Sequence, residues 1–155
     1  MAKPRTKSHL DTIPEDVLMN YYRHQYERMA KLEEQRTAIT NITITLSVVT
    51  FTLGFNMASG FSKVVGFALL AIMMLSNVFA IVYIVRTDSW IKTHKLRARG
   101  ILETQYGPLH TFNENTHSKY SRWSISRWKI QMYLHGLLLI VAMVMAIFLA
   151  IQPAV

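Results

Sequence analysis

The sequence predicts an all-α integral membrane protein with three transmembrane helices and cytoplasmic helical extensions. Three observations predict it. Uncharged, largely apolar stretches cover Thr37–Ser62, Val64–Val85 and Ile130 to the C-terminus, each longer than the roughly 20 residues that cross a hydrocarbon core of about 30 Å. Sixteen of the seventeen Lys and Arg fall in residues 1–36 and 86–129, which three spans place on one side, and the positive-inside rule makes that side cytoplasmic. From Glu15 to Leu53 there is no Gly or Pro to interrupt a helix.

The elements follow in order. Residues 1–10, MAKPRTKSHL, are basic and polar, and are expected to form a disordered tail. The remaining 11–155 are expected to form one helical membrane domain, since the length gives no reason for two. Thr12 with Glu15 three residues on makes a capping box, and Pro14 is tolerated in a first turn. A cytoplasmic helix over 14–36 then leads into a first span over 37–58. Run together, 14–58 would be about 67 Å long at 1.5 Å per residue. Leu18, Tyr22, Met29 and Leu32 recur at helical spacing, with Gln25 interrupting, and Tyr22, Met29 and Leu32 are the candidates for bundling cytoplasmic helices.

The segment before the first span lacks the apolar core and cleavage site of a secretory signal, so no removal is expected. MASGFSK at 57–63 is a tight turn, making the first two spans an antiparallel hairpin. The second span is 63–85. A basic amphipathic helix continues from it until Gly107-Pro108 ends it, within a cytoplasmic loop over 86–129. A last helix is expected from Thr116 or Ser118, entering a third span over 130–151. Trp90, Trp123 and Trp128, with Arg122 and Arg127, mark the lipid interface, and Trp123 and Arg127 stand at i, i+4, where cation and ring can meet. The N-terminus is expected in the cytoplasm and the C-terminus outside.

The first span is unusual: six of the twenty residues from Thr37 to Asn56 are threonine. Thr40, Thr43, Ser47, Thr50 and Gly54 are spaced by three and four, which puts them on one helical face, and Arg36 extends the row toward the cytoplasm. Hydroxyls in hydrocarbon need partners, so this face must turn toward protein or water. It either packs against helices, including those of other copies, or lines a polar path; hydroxyls bonding only their own backbone are a third option. Asn77, in the second span, is expected to bond across to another helix or to line water. Ala142, Ala146 and Ala150 form a small-residue row suited to contact between copies.

Chemistry is sparse. No Asp, Glu, Lys or Arg lies inside a span, which argues against proton-coupled transport. His135 is expected to reach toward headgroups, with a pH-sensitive gate as the alternative. There is no Walker loop, GxSxG, HExxH or CxxC pattern, and no cysteine at all. His110, Glu114 and His117 could share a helical face, but turn-forming residues interrupt it. No enzyme activity, metal or cofactor is expected. The basic loop residues Lys92, Lys95, Arg97, Arg99, Lys119, Arg122 and Arg127 point first to anionic lipid headgroups, then to an acidic partner protein or nucleotide. Nucleic acid is not expected, because no recognition motif accompanies the charge.

The order YYRHQYERMAKLEEQR, running straight into an apolar hairpin and followed by a basic helical segment, resembles the SLATT family of small bacterial membrane effectors over residues 14–106. The resemblance implies cytoplasmic helices joined to a two-span hairpin, which form pores or damage the membrane in antiphage defence when a companion sensing or signalling protein triggers them. The third span departs from that pattern. The combined expectation is a self-assembling effector of the bacterial inner membrane; the alternative is a non-conducting anchor or regulatory subunit of a larger complex.

Overall fold

The computed structural model describes residues 13–56, 63–107, 110–111 and 126–151. It contains three long helices: α1 (Glu15–Asn56), α2 (Lys63–Gln105) and α3 (Arg127–Ile151). Among the described residues there is no strand. The basic tail, Thr12 of the capping box, the 57–62 turn and Pro108 lie outside them.

Each helix starts and stops for local reasons. Pro14 lacks a donor, but its carbonyl accepts from Leu18 N–H at 3.2 Å to open α1. Glu15 and Asp16 then place negative charge in the first turn, where the helix dipole favours it. α2 closes at Gln105, with Tyr106 N–H still donating to Leu102 O at 2.9 Å; Gly107 is helical again and His110 N–H donates to Tyr106 O at 2.9 Å, so the break falls just before the expected Gly-Pro pair. The start of α3 differs from expectation. Ser126 is not helical; its carbonyl accepts from Lys129 N–H at 2.9 Å and Ile130 N–H at 3.4 Å. A helix running unbroken from Thr116 or Ser118 into the span is therefore corrected, because Ser126 occupies the N-cap position that serine favours.

Among the described residues two helices, not three, are long and apolar enough to cross a membrane: the Lys63–Glu103 part of α2, and α3. Their most apolar windows are only 28% and 11% buried, unlike the core helices of a soluble protein. α1 falls short on composition. Its threonines, with Asn41 and Ser47, dilute the apolar residues that the 37–58 stretch carries.

Where the sequence suggests a single helical domain, the contacts gather into two compact units: Met1–Glu33 with Ser89–Ser124, and Glu34–Asp88 with Ile125–Val155. In the first, the opening half of α1 pairs with the closing half of α2. Tyr106 OH donates to Glu15 Oε1, and His94 Nδ1–H donates to Gln25 Oε1 at 2.7 Å, so the pair runs antiparallel. Leu18, Gln25, Ala98, Ile101 and Leu102 are buried. Tyr22, Met29 and Leu32 are half-buried on the same α1 face. Gln25 thus continues the stripe that it breaks in sequence, because its amide meets His94.

In the second unit the remainder of α1 and α2 joins α3. Leu70 and Met73 of α2 and Ala142 of α3 form the buried core, with Met74, Leu138, Met145, Ala146 and Leu149 packed against it. The buried face of α2 recurs at Leu70, Met73, Asn77, Ala80, Ile84 and Thr87, alternating steps of three and four. Gly66 permits close approach: a Cβ there would stand 2.7 Å from Leu149 Cδ2. Small residues at such contacts let helix backbones approach closely enough for van der Waals packing to hold them.

Candidate functional site

The hydroxyl row of α1 faces inward. Arg36, Thr40, Thr43, Ser47 and Thr50 are each no more than 5% exposed, while Ile42, Leu46, Val49 and Leu53 on the other faces are exposed. The burial is within a single chain. Gly54 continues α1 as helix.

At the middle of the row three helices meet through polar groups alone. Asn77 Nδ2 donates to Ser47 Oγ at 2.8 Å and to Met73 O at 2.8 Å. Its Oδ1 accepts from His135 Nδ1–H at 2.8 Å. Ser47, Asn77 and His135 are 1%, 0% and 0% exposed. Asn77 therefore spends both amide hydrogens and its carbonyl, and links α1, α2 and α3 as the buried asparagine of the sequence reading would. The Nδ1–H bond leaves Nε2 of His135 as an acceptor.

His135 contradicts its expected place. Counting residues from Ile130 puts it near the headgroups, but the helix turns its ring inward to Asn77. Nothing in the spacing of α3 alone reveals this; it takes the register of α3 against α2.

Among the described residues, five enclosed side-chain atoms lack a hydrogen-bond partner: Arg36 Nε, Thr40 Oγ1, Thr87 Oγ1, Gln131 Oε1 and His135 Nε2. Burying such a group dry costs about 1–3 kcal/mol, and native structures keep few of them. Two exposed hydroxyls are settled locally, Thr52 donating to Val48 O at 2.9 Å and Ser76 to Ile72 O at 2.8 Å. Backbone bonding of this kind is the third option for the threonines, and it serves Thr52 but leaves Thr40 unserved.

The alanine row divides. Ala142 is fully buried in the core beside Leu70 and Met73, Ala146 is half-buried against that core, and Ala150 is exposed. Ala142 thus spends its small surface within the chain, and Ala146 part of its own.

Trp90 is exposed, Trp128 is half-buried and Arg127 is exposed. Trp123 and Arg122 lie outside the described residues, and with Trp123 the proposed contact to Arg127. Lys129 Nζ instead stands 5.9 Å from the Trp128 ring centre, a cation over an aromatic face. Lys92, Lys95, Arg97 and Arg99 are exposed; Lys119 lies outside the described residues. Of the candidate metal face only His110 is described, and its Nε2 accepts from Arg99 Nε at 3.3 Å. No cluster of three metal-ligating side chains occurs among the described residues.

In the first unit, burial holds His94 below the usual histidine value, helped by the charges of Arg97, Arg28 and His24. Burial, with the Tyr26 hydroxyl alongside, pushes Tyr22 up to about 12. The downward shift favours a neutral His94 at its contact with Gln25.

The fold and node define an all-α chain with two membrane-capable helices and a polar centre held among them. Comparison with known protein families, curated proteins and solved structures finds no match.

Proposed function

We propose that this chain is a self-assembling effector of the bacterial inner membrane. α1 serves as the third span, with the N-terminus in the cytoplasm and the C-terminus outside. A cytoplasmic sensor or signalling protein supplies the cue, and the assembled spans then open a conductive or disruptive path. Antiphage defence is the setting that the resemblance over residues 14–106 suggests. Anionic headgroups hold the exposed cations Lys92, Lys95, Arg97 and Arg99 at the surface.

The observation that carries this reading is the Ser47–Asn77–His135 node. Polar groups buried among lipid-spanning helices are costly, and when retained they mark function more often than packing. The row from Arg36 to Thr50 gives α1 a polar face that is covered in the present arrangement. Turning that face toward a shared axis would line a path; keeping it covered is the resting form.

A specific observation favours the alternative, a non-conducting anchor or regulatory subunit. Ser47, Asn77 and His135 satisfy one another within one chain, so no second copy is needed to complete the node. Expression of the full chain separates the two. Toxicity with loss of membrane potential is the effector's result; silence, with stable co-purification of a larger partner, is the subunit's. Ser47→Leu with Thr50→Leu should abolish assembly or conductance while insertion persists, and wild-type behaviour of that double variant would remove the row from the mechanism.

A further inference from the structure

The five partnerless atoms fall into an order. Bonds of 2.8 Å fix Ser47, Asn77 and His135 at one level of the second unit. α2 runs opposite to α3, since Asn77 meets His135 while Gly66 meets Leu149. Only six residues separate α1 from α2, too short a reach for parallel helices that meet at Ser47 and Asn77, so α1 runs opposite to α2. At 1.5 Å per residue, Gln131 then lies about 6 Å from that level, Thr40 about 10 Å, and Thr87 and Arg36 about 15 Å, all on the same side. On the other side lies the apolar core of Leu70, Met73 and Ala142.

The atoms also share a chemical demand. Arg36 Nε is a donor, Gln131 Oε1 and His135 Nε2 are acceptors, and the hydroxyls of Thr40 and Thr87 are both. An anion would answer only the donors and a cation only the acceptors. Water answers all of them, and buried water is the usual partner of polar groups left over inside a fold.

We propose that this unit contains a file of internal water that enters at the Arg36 end, passes Thr87, Thr40 and Gln131, and stops at His135. Leu70, Met73 and Ala142 form the dry seal beyond it. The inlet lies within one protomer. It rests on the reading of α1 as a span, but not on whether the protein conducts.

The cysteine-free sequence supplies the test. In the full chain reconstituted in vesicles, single variants Thr40→Cys, Thr87→Cys and Ala142→Cys are exposed to a small water-soluble alkylating reagent, which reacts with the thiolate and so requires hydration. Cysteines at 40 and 87 should react at least tenfold faster than at 142. Equal, slow reaction at all three overturns the file. Hydroxyl-radical labelling of the unaltered chain checks the result without substitution: His135 should label, and an unlabelled His135 overturns the file as well. Dye release from the same vesicles keeps the two proposals apart. Slow cysteines with release remove the inlet alone; fast cysteines without release keep the inlet, the resting form expected when no cytoplasmic cue is present.

Discussion

Asn77 Nδ2 and Ser47 Oγ stand 2.8 Å apart, both fully enclosed, thirty positions apart in the chain. This bond sets the register of α1 against α2 in the second unit, and His135 extends it to α3. Replacing Asn77 by leucine strips Ser47 and His135 of a partner at once. Interhelical bonds in lipid contribute about 1–2 kcal/mol in model peptides and less in proteins, so a loss of about 1–3 kcal/mol is expected with the orphaned groups counted. Reversible unfolding in detergent measures it, and a Ser47→Ala/Asn77→Leu cycle should show coupling. Additive effects would mean the bond contributes nothing.

Gly66 should tolerate alanine and reject leucine. The atom in the way, Leu149 Cδ2, is the far end of a flexible side chain and can swing aside for a methyl. Leucine forces α2 and α3 apart, at about 1–3 kcal/mol for overpacking. Leu149→Ala should restore most of the loss in the same unfolding assay.

Ala142 and Ala150 should part company. Ala142→Leu overpacks the core beside Leu70 and Met73 and should cost about 1–3 kcal/mol. Ala150→Leu, on an exposed position, should leave unfolding unchanged within about 0.5 kcal/mol. Particle mass in detergent then shows whether the exposed end of the row joins copies.

Acid should loosen the pairing of α1 and α2 around His94. Its value in the fold lies below the ordinary 6.5, so the unfolded chain binds more protons between the two values. The contribution is complete above about pH 6.5, declines as pH falls toward the folded value, and is flat below it. Hydrogen exchange of residues 15–33 and 89–103 at about pH 7.5 and 5.5 should show the decline, and His94→Gln should reduce it.

Much of this was legible residue by residue. The steps of three and four from Arg36 to Thr50 announce one face, and the cost of bare hydroxyls in hydrocarbon says that it is covered. Asn77 announces a cross-helix bond for the same reason. His135 and Gln25 were hidden because each depends on a partner far along the chain: one looked like a headgroup contact by depth, the other like a gap in a stripe. Gly66 carried no signal, since its value lies in Leu149 opposite. Ser126 was hidden as an N-cap because serine permits helix or cap alike.

The central claim is that the polar face of α1 is turned into the protein while its other faces meet lipid. Nitroxide labels at single cysteines from position 37 to 53, in the full chain in lipid bilayers, read this through collision with oxygen, which concentrates in hydrocarbon. Collision should be lowest at 40, 43, 47 and 50 and highest at 42, 46, 49 and 53, following their burial. High collision at 43, 47 and 50, or no helical periodicity at all, would contradict the account.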